Sequence, residues 1–166
     1  MRIRRDGLVL LLAAVIVAGA LVDEATARRP RPRFVATVGG KRFKGWRRAT
    51  RGAYSTTSFT VGASTRPRRG LLRTIAVSCA GLDLRAVALP VMPTAGFCSG
   101  IYQEQNLRTG LLKTWGSLGM EVTVSAFDGT RVVGTVRGVI QPGDPADAPV
   151  SLEEGAFAMM LLDVGV

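Results

Sequence analysis

From Met120 to Ile140 the sequence reads MEVTVSAFDGTRVVGTVRGVI, two alternating runs on either side of Asp128-Gly129. Successive side chains of a strand point to opposite faces. Met120, Val122, Val124 and Ala126 therefore share one apolar face, with Glu121, Thr123, Ser125 and Phe127 on the other. In the second run Val132, Val136 and Ile140 share a face with Gly134 and Gly138, while Thr135 and Arg137 face away. Asp-Gly favours the positive φ angles of a type I′ turn, so the segment predicts a hairpin with one buried side. A lone hairpin is marginal in water, so the rest of the chain must supply more sheet.

It has the material to do so. Phe34–Val38 and Lys41–Trp46 flank Gly39-Gly40, a second hairpin signal. Tyr54–Val61 is rich in Thr and aromatics, Thr65–Gly70 (TRPRRG) is a turn, and Leu71–Cys79 and Leu82–Leu89 are apolar runs split by Ala80-Gly81. Phe97–Tyr102 is a further candidate strand, and Ala156–Leu162 (AFAMMLL) reads as a closing strand buried on both faces. Gln141–Pro149 is a Pro-rich loop, and Asn106–Trp115 suits one short helical turn. About eight short strands with Gly/Pro turns predict an all-β domain, a single antiparallel β-sandwich or small barrel over residues 34–166.

The segment before it has a different character. Arg2, Arg4 and Arg5 precede the apolar run Leu8–Val22, and Ala25-Thr26-Ala27 has the small residues of a cleavage site. This predicts a signal helix in residues 1–27, removed after Ala27, and a secreted or periplasmic product. The run is shorter than the ~20 residues of a spanning helix. Residues 28–33 (RRPRPR) form a basic Pro-Arg arm expected to be extended. In an oxidising compartment Cys79 and Cys98, the chain's two cysteines, are expected to form a disulfide; the alternative is two buried thiols.

Charge is segregated along the chain. Between Arg28 and Arg73 every charged residue is Lys or Arg, whereas the acids of the mature chain all follow Thr74. Within the basic half, Lys41–Arg51 (KRFKGWRRATR) interleaves cations with Phe43 and Trp46. Cations beside rings suit anionic polymers, whose phosphates or carboxylates meet the charges while bases or sugars stack on the rings. The bland reading is a strand with Phe43 in the core and the cations in water, and alternation favours it for Phe43. The candidate binding residues are thus Lys41, Arg42, Lys44, Trp46, Arg47, Arg48 and Arg51, aided by Arg66, Arg68 and Arg69. An anionic envelope polymer, an anionic lipid surface and nucleic acid all satisfy such a face.

The opening FVATVGGKRF (Phe34–Phe43), the hairpin from Gly119 to Ile140 and VSLEEGAF (Val150–Phe157) resemble a family of exported bacterial β-sandwich domains. Many of its members are lipoproteins, and no function is established for the family. The shared motifs fall on Ala36, Val38, Gly40, Lys41 and Phe43; on Val122, Val124, Phe127 and Asp128; on Val133, Gly134 and Thr135; and on Glu154, Gly155 and Phe157. The chain departs from the lipoprotein members in lacking a lipidated Cys and in its Arg-rich N-terminal half. The resemblance implies fold and export, and brings no catalytic residues with it.

The chain contains no His, which removes imidazole bases and imidazole metal ligands. A hydrolase would have to use carboxylates held ~5–9.5 Å apart. Asp128 is explained by its turn, and Glu121 lies on a strand's polar face. Asp144 and Asp147 lie in the Pro-rich loop, and that spacing is too sparse for a calcium loop. Adjacent Glu153 and Glu154 would point to opposite faces of a strand, and Glu104 has no visible partner. No S-x-x-K or C-x-x-C motif occurs. The expectation is a non-enzymatic binding or structural domain without a cofactor. A carboxylate-based secreted hydrolase, glycoside hydrolase-like, is the alternative, and an inhibitor-like domain using the Thr65–Gly70 loop is a third class.

Overall fold

The computed structural model describes residues 31–92 and 97–165; the expected signal segment and most of the Pro-Arg arm lie outside them. Ten strands follow in chain order: β1 (Arg33–Val38), β2 (Lys41–Lys44), β3 (Thr50–Tyr54), β4 (Ser58–Ser64), β5 (Leu71–Ala80), β6 (Cys98–Asn106), β7 (Leu112–Ser117), β8 (Glu121–Phe127), β9 (Arg131–Pro142) and β10 (Val150–Asp163). A short 3-10 turn, Arg47–Ala49, links β2 to β3. The described residues contain no α-helix, so the fold is all-β.

The strands form one mixed sheet in the order β2-β1-β10-β3-β4-β5-β6-β7-β9-β8, and β10 pairs with β9 as well. Pairings followed from β10 through β3, β4, β5, β6, β7 and β9 therefore lead back to β10. The 14-residue β10 makes this circuit by exceeding its partner: β1 covers it only as far as Ala158, and β3 takes the same edge at Leu161–Asp163. That contact is parallel, which corrects the expectation of an antiparallel sheet. β2 already runs in the direction of β10, and the short link to β3 does not reverse it.

Several expected elements are corrected. Tyr54–Val61 is not one strand but the junction of β3 and β4, turned by Ser55, whose amide donates to Ser58 O (2.8 Å) and whose hydroxyl bonds Ser58 Oγ (3.1 Å). Leu82–Leu89 forms no strand. Asp83 caps a turn there by accepting from the Arg85 amide at 2.9 Å, while Leu82 and Leu84 enter the core outside any strand, the Leu82 amide donating to Thr57 O (3.2 Å). Asn106–Trp115 does begin with one helical turn, closed by the Gly110 amide donating to Asn106 O (2.8 Å), but it is not continued: β7 follows, held in register by β6. The hairpin turn at Asp128-Gly129 is displaced by one residue. Asp128 pairs with Arg131 and only Gly129 has positive φ, +91°, the pattern of a type II′ rather than a type I′ turn.

Along β8 a bulge at Ser125 shifts the register, and a one-residue slip exchanges the two faces. Ala126 is exposed as a result, and Phe127 packs edge-on against Tyr54 with centroids 5.1 Å apart. A second bulge, in β10 at Glu153-Glu154, leaves both carboxylates exposed; the simple alternation expected for them does not hold. Nor is Ala156–Leu162 buried on both faces throughout, since Met160 and Leu162 are exposed. One continuous core runs from Phe34 to Leu161, with Phe34 edge-on to Phe43 and stacked on Phe157. Cys79 and Cys98, opposite each other in β5 and β6, are joined as a buried disulfide.

Candidate anion-binding face

Strand alternation places the basic residues of β2. Phe43 is buried opposite Ala36, so Arg42 and Lys44 project from the outer face opposite Thr37 and Val35. Lys41 sits at the hairpin end, beside Gly39-Gly40, where both glycines take positive φ (+54° and +72°). β2 pairs only with β1 and is one edge of the sheet. Charged side chains on such a strand discourage pairing with another chain, a structural reason for some of this charge.

Beyond Lys44 the chain leaves β1. The Gly45 amide donates to Phe34 O (2.8 Å), and the Trp46 amide donates to Ser64 O (2.7 Å) at the end of β4. Trp46 O in turn accepts from the Ala49 amide (2.8 Å) and from Thr50 Oγ1 (3.0 Å), so the link is fixed at both backbone groups of Trp46. Trp46 remains 40% exposed, in contrast to Trp115, which is buried against Tyr102 and donates to Ala148 O. Arg47 and Arg48 are exposed on the 3-10 turn, and Arg51 is exposed opposite Gly62 on the outer face.

All seven candidate residues are therefore on the surface. The Trp46–Ser64 bond also brings the link to within two residues of Arg66, which joins the second basic segment to the first. Among the described residues the ion pairs are Arg73–Glu104, Arg85–Asp83, Arg85–Asp163, Lys113–Asp147 and Arg137–Glu121. None involves a cation of residues 41–51 or of the 65–70 turn.

The carboxylates have other occupations. Glu104 Oε1 accepts from Tyr102 Oη (2.6 Å) and lies 3.0 Å from Arg73 Nε. Burial and that hydrogen bond push the Tyr102 hydroxyl well above its ordinary range, so it stays a donor. Asp147 meets Lys113, and Asp144 accepts from the Ala146 amide. The described residues hold no cluster of three metal-ligating side chains.

Sequence reasoning missed two arrangements. On the outer face of β8, β9 and β10 a shallow groove of about 290 Å³ holds both Glu121 and Glu154, with Arg137 Nε donating to Glu121 at 2.6 Å. Only the register of three strands places these two residues on one groove. The second is the contact of the β4–β5 and β6–β7 turns, where the Leu107 amide donates to Gly70 O at 2.6 Å and Arg108 joins the basic turn. Comparison with known proteins finds no match to any family model, curated sequence or solved structure. The resemblance to exported bacterial β-domains thus rests on its motif residues alone.

Proposed function

We propose that the chain is an exported, non-enzymatic β-domain that binds an anionic partner through the face formed by β2, the Trp46–Ala49 link and the start of β3. The observation that carries this reading is a run of exposed cations around a half-exposed Trp, with no ion pair to any carboxylate among the described residues. Fixed cations without internal counter-charges attract polyanions, and an accessible indole offers a stacking surface. The signal-like segment of residues 1–27 and the Cys79–Cys98 disulfide support a secreted or periplasmic location. The circuit of pairings through β10 favours a small barrel over a sandwich, and the motif hairpins support membership of the exported β-domain family.

The test is binding of residues 28–166, which carry the whole core of the described residues, to a short DNA duplex used as a polyanion probe. A K41Q/R42Q/K44Q/R47Q/R48Q/R51Q variant is measured beside it. The expected result is salt-sensitive binding that the variant loses; equal binding by both proteins would overturn the assignment of the face. The groove holding Glu121 and Glu154 supports the second reading, a carboxylate-based hydrolase. Hydrolysis of a polysaccharide panel that E121Q and E154Q abolish would establish it in place of the first.

A further inference from the structure

We infer that the joined tips of the β4–β5 and β6–β7 turns form a docking surface for an anionic lipid bilayer. The inference rests on the anion-binding reading, adds these tips to its basic surface and gives them one partner. The two turns are a single unit: besides the Leu107–Gly70 hydrogen bond, Arg108 lies over Gly70, its Cγ only 3.0 Å from where a Cβ would stand. Asn106 shapes the second turn, its Oδ1 accepting from the Arg108 amide (2.9 Å) and its carbonyl from the Gly110 amide (2.8 Å). Arg66, Arg68, Arg69 and Arg108 are all exposed here, and residues 65–70 and 107–111 contain no acid. Of the carboxylates flanking the tips, Glu104 and Asp147 are paired with Arg73 and Lys113, and Asp144 accepts from the Ala146 amide.

The same tips expose leucines. Leu107, Leu111 and Leu112 are 49%, 59% and 51% exposed, beside arginines rather than in the core. A soluble polyanion gives these side chains nothing to bury against. A bilayer surface takes both kinds, with headgroup phosphates meeting guanidinium groups while short apolar side chains enter the acyl boundary. Trp46, tied to the base of the first turn through Ser64, adds an amphipathic ring of the sort that favours the membrane interface.

Sedimentation of residues 28–166 with vesicles tests this, using phosphatidylcholine alone and phosphatidylcholine with about one-third phosphatidylglycerol. The DNA duplex serves as the soluble polyanion. Wild type is expected to bind the anionic vesicles and not the neutral ones. L107S/L111S/L112S is expected to lose roughly tenfold or more on vesicles while binding DNA as wild type does. R66Q/R68Q/R69Q/R108Q is expected to lose vesicle binding. Both variants replace exposed side chains, and thermal unfolding verifies that each folds. Vesicle binding unchanged by the leucine substitutions would overturn the inference, as would wild type binding DNA but no vesicle; either result leaves the anion-binding reading standing. Binding to neither probe would end both.

Discussion

Glu154 adopts a left-handed backbone conformation, φ +49°, at the bulge of β10, a region costly for a residue with a Cβ. Its side chain is exposed, so Glu154→Gly is expected to stabilise the fold by up to about 1 kcal/mol, net of the added freedom of the unfolded chain. Urea unfolding reads this directly; a midpoint below wild type would show that the carboxylate has a structural role. Asp128 shows a different kind of local control. Its Oδ1 accepts from the Thr130 amide (3.0 Å), the Arg131 amide (2.7 Å) and Thr130 Oγ1 (3.0 Å). The backbone bonds from Thr130 and Arg131 hold its carboxyl below the ordinary range. A depressed folded-state value stabilises above the unfolded value near 4, and the contribution is lost as pH falls through the folded value. Asp128→Ala is therefore expected to cost about 1 kcal/mol at neutral pH. The difference from wild type should shrink below about pH 4; a gap independent of pH would refute the charged-acceptor account. At this scale the sequence was legible where alternation is unbroken. Phe43 is buried between exposed Arg42 and Lys44, as period two requires. Phe127 was not legible, because no residue type announces the bulge at Ser125.

Among the elements, β9 lies tightly between β8 and β10 around Gly134, which pairs with Phe157. A Cβ on Gly134 would stand 2.3 Å from Thr123 O and 2.5 Å from Phe157 Cζ, distances that require the strands or the ring to move. Gly134→Ala is expected to destabilise by roughly 1–3 kcal/mol through overpacking. At Gly116 the nearest atom to a new Cβ is 3.9 Å away, so Gly116→Ala is the near-neutral control. Equal unfolding midpoints for the two variants would contradict the packing described. The hairpins β1–β2 and β8–β9 were legible because each joins alternating runs through a Gly-containing turn. β7 was not: LKTWGS carries little strand pattern, and its pairing is set by β6. Leu82–Leu89 failed in the opposite direction, its apolar residues serving a capped loop that packs inward. The union of the two basic tips was equally hidden, since it depends on Leu71 facing Asn106 across β5 and β6.

For the whole molecule, the all-β class and the segregation of charge were visible in the sequence, and the path of the sheet was not. A strand long enough to take β1, β3 and β9 as neighbours cannot be told from a local pattern that suggests only seven of its 14 residues, Ala156–Leu162. The same holds for the face. The cations of residues 41–51 could be named, but their freedom from ion pairs among the described residues depends on where the chain after β4 carries the acids. The central claim, that this freedom makes an anion-binding face, meets its most direct test in the salt dependence of binding. The slope of log K against log salt for residues 28–166 on a DNA duplex reports the phosphates engaged, at about 0.9 per phosphate. A steep negative slope is expected, becoming shallower by roughly two when Arg47 and Arg48 are both replaced by Gln. A slope left unchanged by that double substitution would contradict the claim.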